Sequence, residues 1–139
     1  MNKVTKSIIA GIVGTAVMTM IMFIAPMMGM PKMNPAEMLS MTMGFPLAVG
    51  WMMHFMIGII FAFSYTFFFI GLVKKVNNNI LKGAIFGMAA FVFAQIMMAI
   101  MGAMMTMPAM QGSMVLNMIG SLMGHVVFGI VIGLIVKEG

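Results

Sequence analysis

The 139-residue chain has no cysteine, no arginine and only two acidic residues, Glu37 and Glu138. The first absence excludes disulfides, thiolate metal sites and thiol nucleophiles. The scarcity of acids excludes paired-carboxylate chemistry and a proton relay built on buried carboxylates. No P-loop, no glycine-rich dinucleotide turn and no HExxH motif occurs. Ser64, Ser121 and Tyr65 lack an acid–base partner at a useful spacing. Ser121 stands one turn before His125, but with no third group to orient the ring this reads as a packing hydrogen bond. The chain is therefore expected not to be an enzyme.

Charge is scarce altogether. Charged residues make up 6% of the sequence and hydrophobic ones 63%, where a soluble domain carries roughly 25% charged residues. A water-facing surface cannot be built from this, so the chain belongs in a lipid bilayer. The net charge of +5 comes from lysine. No basic face interleaved with aromatics is present, so no nucleic-acid partner is expected.

Four apolar stretches are long enough to span a bilayer: about 7–29, 47–73, 83–105 and 114–136. Each supplies the roughly 20 residues that a hydrocarbon core needs at 1.5 Å per residue. The expected fold is all-α, a single membrane domain over 1–139. Lys3, Lys6, Lys74, Lys75, Lys82 and Lys137 fall on one side of a four-span arrangement and only Lys32 on the other. The positive-inside rule then predicts a multi-pass protein of the bacterial inner (plasma) membrane with both termini cytoplasmic. In the first outer loop, with its polar residues Lys32, Asn34 and Glu37, "NPAEMLSMTMG" reads as a short helix. Asn34 is its N-cap, Pro35 its first residue, Glu37 stands at the capping-box position and Gly44 is its stop. Met38, Leu39, Met41 and Met43 would give it an apolar side, fit to lie on the outer leaflet or to cover a site.

The chain repeats. "GWMMHFMIGIIFA" at 50–62 aligns with "SLMGHVVFGIVIG" at 121–133, setting His54 on His125 and Gly58 on Gly129. Gly14 aligns with Gly87 and Gly29 with Gly102. A four-helix bundle of two tandem helical hairpins follows, about 7–73 and about 80–136, with a pseudo-two-fold axis along the membrane normal. The histidines would then sit at matching depth. Gly50, His54 and Gly58 share a face, as do Ser121, His125, Gly129 and Gly133; Gly83 and Gly87 add a third small-residue stripe, fit for close helix packing.

Methionine is unevenly placed. Of 25 methionines, all but Met1 and Met88 lie in 18–56 and 97–123, the predicted outer halves and outer loops. Thioethers are soft ligands suited to Cu(I), and imidazole suits copper too. The alternative use of so much methionine is a deformable apolar surface for a protein partner or lipid.

With "GIVGTAVMTM", "GMPKM", "GWMMHFMIG" and "GSLMGHVVFG" in view, the chain resembles a family of small bacterial four-span membrane proteins of uncharacterised function. The resemblance covers nearly the whole length and implies an integral membrane protein, without a reaction or cofactor. Three functions remain open. The first is binding of Cu(I) or another soft metal by His54 and His125, with Met52, Met53, Met56 and Met123 as thioether ligands. The second is b-type haem held between the two histidines for electron transfer, with Lys32 the only outer cation for its propionates. The third is a structural accessory subunit, as a homo-oligomer or within a larger membrane complex. There the histidines would hydrogen-bond across helices, to Gln95 or Asn117.

Overall fold

The structure is a computed structural model and describes residues 1–137; Glu138 lies outside them. Five helices account for most of the chain. α1 spans Lys3–Ile24, and Asn2 caps it by accepting the Thr5 N–H at 2.8 Å. A short 3-10 turn at Ala25–Met28 extends it and stops at Gly29, whose φ of 87° suits glycine. α2 spans Pro35–Met43. α3 spans Leu47–Leu72 and contains a π-helical turn at Tyr65–Phe69. α4 spans Asn79–Met104 and α5 spans Met114–Val136. α1 with its extension, α3, α4 and α5 are each long and apolar enough to cross a bilayer. Their outward faces carry bare hydrophobic side chains such as Phe68, Leu72, Val92 and Ile96. In water such a surface would aggregate; in lipid it is the expected one.

Two spans begin earlier than their apolar runs. α1 starts at Lys3 and α4 at Asn79, because Asn2 and Asn78 cap the polar turns ahead of the hydrocarbon. Asn78 accepts from Ile80 N at 2.8 Å and Leu81 N at 3.3 Å.

α2 is capped by Asn34, which accepts the Glu37 N–H at 3.2 Å, and it ends at Gly44 with φ 71°. It packs on α3 by a face other than its apolar side. Ala36, Ser40 and Thr42 are buried, whereas Met41 and Met43 are exposed. The reason is Gly50: a Cβ there would strike the Ala36 carbonyl, so the missing side chain lets α2 dock by its smallest residues on the start of α3. Gly50 thus packs this short helix and not another span.

Side by side, the spans run α3, α1, α5, α4: α1 packs along both α3 and α5, and α4 packs along α5. The apolar window of α1 is accordingly 39% buried and that of α4 only 17%. Glycine sets two of these contacts. A Cβ on Gly11 would stand 2.5 Å from Ile59 Cα and 3.0 Å from the Gly58 carbonyl. Gly83 and Gly129 likewise meet backbone to backbone, as do Gly87 with His125 and Gly133 with Asn79. Gly14 and Gly87, matched by sequence, do not occupy matching places. Gly14 receives the Phe128 ring from α5, 3.0 Å from its would-be Cβ. The position in α1 that does what Gly83 does in α4 is Gly11.

α3 and α4 are the two ends of this arc and make little backbone contact. Aromatic rings stand between them. Phe61 of α3 meets Phe93 at 5.7 Å and Phe86 at 6.4 Å, both on α4, and Phe128 of α5 at 6.4 Å, all edge to face. Tyr65 and Phe69 of the π turn close on Phe86 at 5.1 and 5.0 Å. The gap between α3 and α4 is therefore filled toward the chain termini and open toward α2.

Candidate functional site

The open part is a cavity of ≈ 1300 Å³ bounded by all four spans, α2 and the 105–113 loop. His54 and His125 both line it. They come from α3 and α5, helices that meet through the Phe61 and Phe128 rings and make little backbone contact, and α1 packs between them.

Each ring is anchored by one nitrogen. His54 is 7% exposed and its Nε2 lies 3.1 Å from Thr19 Oγ1. That hydroxyl has one proton, and it is given to the Thr15 carbonyl at 2.7 Å. The Thr19 oxygen must therefore accept from His54, which fixes the proton on Nε2 and leaves a lone pair on Nδ1. His125 faces the Ser121 carbonyl through Nδ1 at 2.7 Å. A carbonyl only accepts, so the proton sits on Nδ1 and the lone pair on Nε2. The Ser121 hydroxyl, 3.5 Å away, adds little. Neither free nitrogen has a hydrogen-bond partner among the described residues, and neither is sealed off. Both rings line the cavity.

Gln95 and Asn117, the partners expected for the histidines, bond to neither. Asn117 donates to the Gln111 carbonyl at 2.7 Å and the Ser113 carbonyl at 3.0 Å, tying down the loop before α5. Gln95 lines the cavity with no hydrogen bond among the described residues. Thr15 Oγ1 is buried beside Gly58 and is likewise unpaired.

Twelve methionines line the cavity, Met18, Met22, Met97, Met98, Met101 and Met118 among them. Met52, Met53, Met56 and Met123 do not. Met52, Met56 and Met123 are more than half exposed on the outside of the bundle. Helical phase explains the miss: a residue two positions from a histidine is turned about 200° from it and one position away about 100°. The methionines beside the histidines in space come from other helices. Met22 and Met18 of α1, for example, press on Gly124, with Met22 Cε 2.7 Å from where its Cβ would be. Among the described residues no three His, Cys, Asp or Glu side chains converge as a metal-ligand set. A third protein ligand would have to be a thioether, an amide or a hydroxyl. Lys32, Asn34 and Glu37 line the cavity at its α2 side, and the only tryptophan, Trp51, stands 6.2 Å from the His54 ring, centre to centre.

A sequence-family profile described as a family of unknown function, DUF6789, matches residues 1–138. No curated protein and no solved structure matches the chain.

Proposed function

The chain belongs to the DUF6789 family, and we propose that this four-span membrane protein is a non-catalytic binding protein that holds Cu(I), or another soft cation, at His54 and His125. The observation that carries the reading is the proton arrangement. Each imidazole is held by one N–H to a protein oxygen, each has a second nitrogen without a protein partner among the described residues, and both rings line the same cavity. Metal-ligating histidines are oriented in this way by their second partner. Neutral imidazole and thioether need no deprotonation to bind, which suits a soft monovalent ion in a largely apolar site.

Two further readings belong with this one. The chain is a tandem pair of hairpins: Gly83 stands 72 positions after Gly11 and Gly129 stands 71 after Gly58, and the two pairs make the same contact. The lysine distribution supports cytoplasmic termini, with the cavity on the outer side of a bacterial inner membrane. The haem alternative draws on the cavity volume, which admits a porphyrin, but among the described residues Lys32 is the one cation lining the cavity. The spectrum of the purified protein reads it directly, since bis-histidine haem gives a Soret band.

Ag(I) is a convenient stand-in for Cu(I). Titrated into chelator-washed protein, it is expected to quench Trp51 saturably with one ion per chain. His54→Ala and His125→Ala should each weaken binding at least tenfold. Equal affinity in either variant and the parent would remove that histidine from the site.

A further inference from the structure

We propose that the same cavity binds a bilayer-dissolved amphiphile with a neutral, hydroxyl-bearing ring as its head, a hydroquinone in chemical class. Its O–H groups would be accepted by His54 Nδ1 and His125 Nε2, and a ring oxygen would meet the Gln95 amide. The inference uses the two free nitrogens but does not rest on metal binding.

Three observations lead there. First, the unpaired polar groups are complementary to such a head. With Nε2–H of His54 and Nδ1–H of His125 already committed, both free nitrogens are acceptors only, so an organic ligand must supply donors. Gln95 offers both an N–H and a carbonyl in a span, where an unsatisfied amide is costly. The charged side chains of the lining, Lys32 and Glu37, lie in the 32–37 stretch, so the head buried among the helices is neutral.

Second, a volume of ≈ 1300 Å³ is far more than an ion fills. A water takes about 30 Å³, and pockets for organic ligands run to roughly 300–1,000 Å³. Away from the polar groups the lining is Phe61, Phe93 and methionine, soft surfaces that mould to an alkyl or isoprenoid tail.

Third, the α3–α4 side has little backbone contact, and a difference between the two repeats accompanies it. The α4 position that corresponds to Gly14 of α1, 72 residues on, is Phe86. Gly14 lets the Phe128 ring settle against α1 and closes that side. Phe86 instead places its own ring there, edge to face with Phe61 of α3 at 6.4 Å. The two sides of the pseudo-symmetric bundle are thus closed differently, one by backbone contact and the other by rings, and the cavity with the histidines lies on the side closed by rings.

The test uses full-length protein purified with a Cu(I) chelator and reconstituted in phosphatidylcholine vesicles. The probe is decyl hydroquinone, kept reduced under anaerobic conditions and read by Trp51 fluorescence. Saturable binding at one per chain is expected, with the dimethyl ether of the probe at least tenfold weaker because it has no O–H to give. Gln95→Leu should weaken the hydroquinone about tenfold, and Ala94→Phe, which sets a ring in the lining beside Gln95, should weaken it as much or more. Equal affinity for the hydroquinone and its ether in the unaltered protein would overturn the proposal. So would partitioning without saturation, or a second copy of the chain found by cross-linking to occupy the α3–α4 gap. If Ag(I) binds and the hydroquinone does not, the metal reading stands and this one falls; the reverse result separates them the other way.

Discussion

Replacing Gly129 by isoleucine is expected to part α4 from α5 and to lower stability by about 3 kcal/mol, the upper end of the usual cost of overpacking. The Cβ would be driven into the Gly83 carbonyl, with Gly87 N at 2.6 Å and Gly87 Cα at 2.8 Å. These are backbone atoms and no rotamer change relieves them. The two helices must separate along the most intimate contact in the fold, and Gly83, Gly87 and Gly133 lose their partners with it. Isoleucine is a slightly better helix former than glycine, so propensity works against the effect by roughly half a kcal/mol. Gly71→Ile is the matched control, since the nearest foreign atom to its Cβ would be Lys74 Cε at 3.9 Å. Unfolding in mixed detergent should show a large loss for Gly129→Ile and almost none for Gly71→Ile. Equal midpoints would mean that the α4–α5 contact does not hold the bundle.

The second large effect falls on ligand binding. A His54→Ala, His125→Ala double variant is expected to lose saturable Ag(I) binding, by at least a hundredfold, while still folding. A subtler variant tests the geometry. Thr19→Val removes the oxygen that accepts the His54 N–H, so the ring is no longer held with Nδ1 toward the cavity. Loss of such a supporting partner typically costs about 10–100-fold in metal affinity. Thr19→Ser keeps the hydroxyl and should bind as the parent does. If valine and serine behave alike, the Thr19 contact does not orient the ligand. Trp51, whose ring centre is 6.2 Å from that of His54, gives an independent reading because its spectrum should move in Thr19→Val before any ion is added.

Much of the architecture was legible from local chemistry. Spans follow from apolar runs, and α2 follows from Asn34, Pro35 and Gly44, all of which act within a few residues of where they stand. The glycines were also readable as contact points, because four-residue spacing defines a helix face. What the sequence did not disclose is which face meets which neighbour. Met52 and Met56 flank His54 in the chain and point away from it, while Met18 and Met22 reach the cavity from a different helix. The pairing of Gly11 with Gly83 was hidden because Gly14 and Gly87 give an equally good glycine match one position off. The role of Phe86 was invisible for a related reason: a phenylalanine in an apolar helix carries no local mark of which helix its ring will meet. The π turn at Tyr65–Phe69 likewise has no signature in its own residues, although it turns Tyr65 and Thr66 inward together and allows Ser7 to meet Thr66 at 2.8 Å.

Phe61 touches rings on both α4 and α5 through edge-on contacts only, and such contacts tolerate small tilts. Taken as a fulcrum, Phe61 makes α3 the beam, while the Gly14–Phe128 contact holds α1 on α5. Measured along α3, the arm to Leu47 is about 21 Å and the arm to Leu72 about 16 Å, at 1.5 Å per residue. A displacement of 1 Å at the short arm would be delivered as about 1.3 Å at the cavity mouth, in the opposite sense. Squeezing the lysine-bearing end would then widen the mouth, and closure on a ligand would spread that end. Spin labels report this as two distances moving in opposite directions: one between the exposed positions Met52 and Met104, the other between Phe68 and Leu81. If both shorten together when ligand is added, the bundle contracts as a whole and does not work as a lever.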